Sequence, residues 1–400
     1  MEQRVKRGAD SEVRAFKEAL KRGVGRCVLQ LRTDEGREGE TETPAFDARA
    51  DGECAILRTM KRTLLLWTAA LACAAAVAAD AHAPLPDLLT FADGRPVKTA
   101  ADWAKRRAEV AAAILPVEYG RLPAKPAKVT VETVSMCGSV RWLKADFRTM
   151  RVRADMDGKE VSFLLELWYP VNDEKDIPVL LVGDGCWRNL REEVVADAIG
   201  RGWMVAQFNR CEVAPDDASA GDSTLLKWAW AYHRAIDALE QTDERVGPIY
   251  VTGHSRGGKT VLLAAATDAR IAAVGDNCSG CGGAGSLRDV PEGAEDIASI
   301  TRRFPYWFAP DWGSWAGREK ELPFDQHFLE ALIAPRKLFV RAGADDLWAD
   351  PPGCRRILEA ARPVWTLLGA ESNAVYSVRS GGHRHDIADF KAFLDFAAAR

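Results

Sequence analysis

Two chemistries overlap in IYVTGHSRGGKTVLLAA, residues 249–265. Gly253, Gly258, Lys259 and Thr260 satisfy G-x-x-x-x-G-K-[ST], a loop whose backbone N–H groups cradle nucleotide phosphates. Gly253, Ser255 and Gly257 satisfy G-x-S-x-G, a sharp strand-to-helix turn that displays a nucleophilic serine. Both patterns want an apolar strand before the turn and a helix after it, so this stretch alone leaves the choice open. A serine hydroxyl is a weak nucleophile and needs a general base, oriented in turn by an acid. In the α/β-hydrolase order the acid follows the serine and the histidine comes last.

Six histidines are available. His82 is expected to leave with a secretory leader. His254 adjoins Ser255, where successive side chains are expected to point apart. His233 reads as a packed or surface helix residue, and His327 lies between the turn and the acid region. His383 and His385, in SGGHRHDI, occupy a glycine-rich loop just before the last helix, the place for the base. His383 is preferred because Gly381 and Gly382 free the loop to bring an imidazole over the serine. A metal site built from His383, His385 and Asp386 would lack a second cluster of ligands, so neither a metal nor an organic cofactor is expected.

For the acid, LFVRAGADDLWADP reads as a strand followed by a carboxylate-rich loop. Asp346, three residues after Gly343, is the first choice; Asp345 and Asp350 are fallbacks that would otherwise cap the loop or the next helix. The oxyanion donor is expected to be the backbone N–H after the nucleophile, that of Arg256, whose guanidinium can join it. A second donor is expected from GDGCWRN, residues 183–189.

The elements that must position these groups alternate. TAADWAKRRAEVAAAILPVEYG reads as a helix capped by Thr99 and ending at Gly120. KVTVETVSM, KADFRTMRVRAD and VSFLLELWYP alternate like antiparallel strands. IPVLLVGDG, WMVAQFN, GPIYVTG, RIAAVGDN and RKLFVRAG read as strands of a parallel sheet. Helices are expected at REEVVADAIGRG, STLLKWAWAYHRAIDALEQ, PGCRRILEAARPVWTLLG and DIADFKAFLDFAAAR. About four strands precede Gly253 and at least two follow it, whereas a phosphate loop usually follows the first strand of its domain. The order favours serine. It predicts an α/β-hydrolase three-layer sandwich, with a mostly parallel central sheet and a nucleophile elbow.

The chain has 400 residues, a net charge of −4 and 47% hydrophobic residues. That composition suits a globular protein and gives nucleic acid no basic surface. Residues 1–59 mix charge and glycine without apolar period and are expected to be a disordered or non-native extension. Residues 60–83 carry Met60, Lys61 and Arg62, an apolar run from Leu64 to Ala79, and A-x-A patterns at 76–78 and 81–83. These are the three parts of a signal peptide, and the run is short of the roughly 20 residues of a membrane span. Cys73 fits a lipid-attachment cysteine poorly. Residues 84–400 then form one secreted or periplasmic domain, expected to act as a monomer without stable membrane insertion after cleavage. Nucleotides are scarce outside the cytoplasm, a second argument against the phosphate loop. Cys137, Cys186, Cys211, Cys278, Cys281 and Cys354 allow up to three disulfides in an oxidising compartment. CSGC at 278–281 lacks the second C-x-x-C of a zinc site.

The stretch from about Leu85 to Phe396 resembles the glucuronoyl esterases of carbohydrate esterase family 15 and their bacterial relatives. The likeness rests on KWAWAYHRAIDALE, VTGHSRGGK, SGCGGAGSLR, FPYWF, LPFDQHFLEALIAPRKLFV, DDLWADPPG and RSGGHRHDIADFKAFLDFA. Its most specific piece is the turn, where the family has G-C-S-R-x-G-K. The resemblance implies Ser255 as nucleophile, His383 as base and Arg256 as oxyanion group. It implies Lys259 as a ligand for glucuronate hydroxyls and Trp348 as a wall of the sugar site. The implied substrate is a carbohydrate ester, such as a glucuronoxylan or lignin–carbohydrate ester, with acetyl xylan esterase activity as the alternative. Two positions depart from the pattern. His254 replaces a cysteine beside the nucleophile. Cys278 stands where some members carry the triad carboxylate, leaving Asp346 to serve unless Asp276 reaches in.

Overall fold

The computed structural model describes residues 82–140, 143–172, 174–187 and 190–399. The expected extension 1–59, and the expected leader apart from His82 and Ala83, lie outside the described residues. The first helix, α1 (Ala100–Ile114), starts where the sequence says: Thr99 and Asp102 form a reciprocal capping box. Trp103, Arg106, Val110 and Ile114 form its buried stripe. A π turn over Leu115–Tyr119 follows and ends at Gly120, whose φ is 91°.

Strands β1 (Val129–Val140), β2 (Ala145–Met156) and β3 (Lys159–Pro170) make an antiparallel meander. β3 also runs antiparallel to β5 (Met204–Phe208). From β5 onward the sheet is parallel through β4 (Ile177–Val182), β6 (Val246–His254), β7 (Ile271–Asn277), β8 (Lys337–Gly343) and β9 (Ala374–Arg379). Six strands, the last of them β6, thus precede the Ser255 turn and three follow it.

The central strands are buried on both faces, as their unbroken apolar runs predict. Along β4, Val179 and Leu181 join one core and Leu180 and Val182 the other. The first core also takes α1, α3 (Thr224–Thr242), α4 (Arg256–Thr267) and α7 (Pro351–Leu367). The second takes α2 (Glu192–Gly200) and α8 (Ile387–Ala398). Two short helices, α5 (Ile297–Arg303) and α6 (His327–Ala331), lie between β7 and β8. Sheet order reverses between β4 and β6, so a crevice opens at the carboxyl ends of these strands.

β9 escapes the sequence pattern. Ala374 is its one fully buried residue, because the strand lies at the sheet edge and shows no clean period. Yet it fixes the histidine loop. β9 pairs with β8 in a register that sets Arg379 beside Gly343, so the acid loop and the histidine loop leave adjacent strands at the same height. Below them, Arg341 of β8 and Arg379 of β9 both donate to Asp389 at 2.5 and 2.8 Å, and that carboxylate is only 1% exposed. Asp389 is also the N3 partner in the α8 capping box with Asp386.

Asp389→Ala removes one acceptor from two inward-facing guanidinium groups and half of a capping box. Urea unfolding is expected to show a loss of about 3–5 kcal/mol, the scale for breaking a buried ion pair. A loss below 1 kcal/mol would mean the two arginines find other acceptors.

Candidate active site

Ser255 ends up at the tip of a strained turn for local steric reasons. It sits between β6 and α4 with φ 55° and ψ −120°, a conformation that side chains rarely adopt. The turn closes because its neighbours lack side chains. A Cβ on Gly253 would lie 2.3 Å from the Gly257 carbonyl oxygen, and one on Gly257 would lie 2.3 Å from Asp184 Oδ2. The Ser255 N–H donates to the Asn277 carbonyl at 2.8 Å, which ties the turn to β7. Asp184, fully buried after β4, accepts from the His254 N–H at 3.2 Å and pairs with buried Arg210.

His383 Nδ1–H donates to Asp346 Oδ2 at 2.7 Å. The carboxylate side chain is 2% exposed and the imidazole 39%. An ionised carboxylate only accepts, so Nδ1 carries the ring proton and Nε2 keeps a lone pair. Burial pushes Asp346 upward, but the hydrogen bond from His383 and the attraction of that ring once protonated outweigh it, and its carboxyl ends below the ordinary range. Ser255 and His383 line one cleft of about 390 Å³, together with Arg256, Lys259, Cys278, Glu295 and Trp348 among others.

The fallback acids have other work. Asp345 Oδ2 accepts the Gly381 N–H at 3.1 Å and so braces the histidine loop. Asp350 caps α7 through the Gly353 N–H at 3.0 Å. Asp276 lies under Gly258, where a Cβ would meet its Oδ1 at 2.3 Å. Burial, outweighing the pull of Ser279 and of the Lys259 charge, pushes its carboxyl up to about 7. His385 stacks on Phe390 with centroids 4.0 Å apart, and Asp386 caps α8, so these two do not converge with His383 into a metal site.

The His254 ring faces the histidine loop, 4.5 Å from the His383 ring and 5.7 Å from the His385 ring. Burial, then repulsion from His383, pulls its pKa down, so it packs as a neutral ring, its Nδ1–H on Asn277 Oδ1 at 2.7 Å. His233 and His327 are both buried, which decides between the packed and surface readings of His233.

Arg256 sits in a cage that sequence reasoning missed. Its Nη1 donates to Asp216 Oδ2 at 2.5 Å, and its guanidinium carbon lies 4.7 Å from the Trp307 ring and 4.8 Å from Phe304. Trp187, from the loop named as a second donor, lies 5.5 Å away on another side. Arg188 and Asn189 of that loop lie outside the described residues. Arg256 Nε is buried without a partner among the described residues, one unspent donor beside Ser255 in sequence.

Lys259 disposes of the phosphate reading. Its Nζ donates to the Ser279 carbonyl and lies 3.3 Å from Glu295 Oε2, and a carboxylate there would repel a phosphate. Thr260 Oγ1 donates to the Arg256 carbonyl at 2.8 Å inside α4. Glu295 carried no motif of its own; it enters the cleft because its N–H is held by the Trp348 carbonyl at 3.0 Å. The six cysteines considered for disulfides are free thiols.

A mostly parallel sheet of nine strands, helices on both faces and this sharp turn in mid-sheet make an α/β-hydrolase fold. A sequence profile of fungal glucuronyl esterases matches residues 152–369. The chain is 30% identical over 326 residues to a 4-O-methyl-glucuronoyl methylesterase of Podospora anserina, covering 75% of this chain and 63% of the relative, less than two thirds of its length. With the Schizophyllum commune protein of the same name identity is 29% over 327 residues, covering 78% and 80%. A solved glucuronoyl esterase from Solibacter usitatus superposes with a TM-score of 0.71 at 27% identity, covering 78% of this chain and 97% of that one. The chain belongs to the glucuronoyl esterase family.

Asp276 generates a stability prediction. Folded, it holds its proton to about pH 7, whereas unfolded it ionises near the ordinary aspartate value of 3.8. The folded form therefore keeps a proton that the unfolded chain loses, and this stabilisation is present at low pH and fades between about pH 4 and 7. Asp276→Asn should raise the melting temperature relative to the natural chain by an increment that grows from pH 4.5 to pH 8. A constant increment would show that the carboxyl is already ionised when folded.

Proposed function

We propose that the protein is a secreted or periplasmic serine esterase, cleaving the ester between a glucuronic or 4-O-methyl-glucuronic acid carboxyl group and an alcohol. The observation that carries this reading is the 2.7 Å bond from His383 to buried Asp346, at the rim of the cleft that Ser255 also lines. In this account Ser255 Oγ attacks the ester carbonyl while His383 Nε2 takes its proton. Asp346 holds the reactive tautomer and favours the imidazolium as it forms. The Arg256 N–H and guanidinium stabilise the oxyanion. His383 then returns the proton to the leaving alcohol, and a water, activated the same way, releases the acyl group from Ser255. No metal or organic cofactor enters any step.

The acyl side of the cleft favours a uronoyl ring over an acetyl group. Lys259 and Glu295 offer a donor and an acceptor side by side, and Trp348, 41% exposed, offers a face. A hydroxylated pyranose can use all three at once; an acetyl group has no donor to give Glu295. The relatives named above bear the name 4-O-methyl-glucuronoyl methylesterase, which fits that ring. Secretion rests on the leader pattern at residues 60–83, and no helix among the described residues is long and apolar enough to cross a membrane. The domain proper is taken as residues 84–400, working as a monomer.

The test compares hydrolysis of benzyl glucuronate with release of acetate from acetylated xylan, using Ser255→Ala as the control. Faster turnover of the glucuronate ester is expected; preference for the acetyl ester would overturn the specificity while leaving the nucleophile in place. Asp346→Asn should lower kcat by roughly a thousandfold or more with little change in KM, because the imidazole loses its tautomer. Arg256→Ala should cost roughly a hundredfold to a thousandfold in kcat, the scale for one oxyanion donor.

A further inference from the structure

Cys278, Asp346 and His383 offer a sulfur, a carboxylate oxygen and an imidazole nitrogen, all within 4.8 Å of one another. The thiol reaches this place by an uncommon backbone. Cys278 follows β7 with φ 53°, and its N–H donates to the Arg341 carbonyl of β8 at 2.9 Å. That turn sets its side chain beside the acid loop that leaves β8. Cys278 is 2% exposed and Asp346 4%, yet both Cys278 and His383 line the open cleft. The three groups are therefore positioned by three neighbouring strands and reachable from solvent on one side.

We propose that Cys278, Asp346 and His383 bind a thiophilic divalent cation, of which zinc and cadmium are the type, and that binding switches the hydrolase off. Binding stands on these three residues alone; inhibition rests on the reading of His383 as the base. The donor set is a known one for zinc, which accepts thiolate, imidazole and carboxylate together and takes a water at an open fourth position. The thiolate selects against magnesium, calcium and manganese, which prefer oxygen ligands. As the ion enters, the thiol proton and the Nδ1 proton that His383 shares with Asp346 leave to solvent, and three bonds to metal replace them. The imidazole is then tied to the ion, and Asp346 no longer orients it toward Ser255. Arg379 Nη2 lies 3.9 Å from the sulfur. Its charge opposes an incoming cation, which suits a reversible inhibitory site better than a permanent structural one.

Ser255→Ala provides a protein without turnover in which binding is read directly. Cadmium titration of this variant, and of the natural chain, should develop a thiolate-to-cadmium ultraviolet band with a component that Cys278→Ser and Cys278→Ala both lose. In steady-state assays zinc should inhibit the natural chain and a chelator should restore it. In both Cys278 variants, measured against their own zinc-free rates, the inhibition constant should rise by at least about tenfold, since removing even an outer partner of a metal ligand has an effect of that size. A cadmium band unchanged by Cys278→Ser, or equal zinc inhibition of all three proteins, would overturn the proposal. Should the chain prove inactive on glucuronate esters, the cadmium band in Ser255→Ala still decides the metal site. Should the band be missing while ester hydrolysis stands, the metal site alone fails.

Discussion

The hydrogen bond from His383 to Asp346 is the contact on which the site depends, and it is a product of strand register. The two residues are 37 positions apart in sequence but leave β8 and β9 at matched heights. An isolated buried carboxylate is costly and one that accepts a charged or polar N–H is not. The pairing thus resolves a stability problem for Asp346 while fixing the imidazole tautomer. The same two strands carry Arg341 and Arg379 down to Asp389, and Arg379 also donates to the Gly382 carbonyl at 3.0 Å. The loop presenting His383 is therefore held from inside by a guanidinium and from its tip by a carboxylate. Its glycines do not leave it free.

A second constraint acts on Ser255. The left-handed conformation at Ser255 costs of order 1–3 kcal/mol and persists only where the surroundings over-determine it. Here Asp184 and Arg210 sit beneath Gly257, the Asn277 carbonyl holds the Ser255 N–H, and buried α4 fixes the exit. Arg256 is held in turn by Asp216 and three aromatic rings. A guanidinium clamped this way loses little further freedom when charge develops nearby, which is the condition for electrostatic preorganisation.

What the sequence disclosed follows from what is local. The turn at Ser255 is a run of glycines around one serine, the apolar strands are unbroken, and Thr99 with Asp102 spells a capping box; each can be read without neighbours. Asp346 could be ranked above Asp345 and Asp350 by its distance from a strand end, and the structure gives those two to loop and helix caps. Long-range partners were not legible. Asp216 lies 40 residues from Arg256 in an unremarkable loop. Glu295 reaches the cleft through a hydrogen bond to Trp348, and β9 is an edge strand whose pattern is half solvent. The approach of the His254 ring to the histidine loop was not legible either, because that loop arrives from β9.

The central claim is that folding sets the His383 imidazole against the Ser255 hydroxyl. A fluorophosphonate probe tests it most directly, with the labelled residue found by peptide mass and the labelling rate compared between the natural chain and His383→Ala. The account predicts a single adduct on Ser255, formed rapidly in the natural chain and slower by orders of magnitude without the imidazole. An adduct elsewhere, or one on Ser255 at the same rate in both proteins, would contradict it.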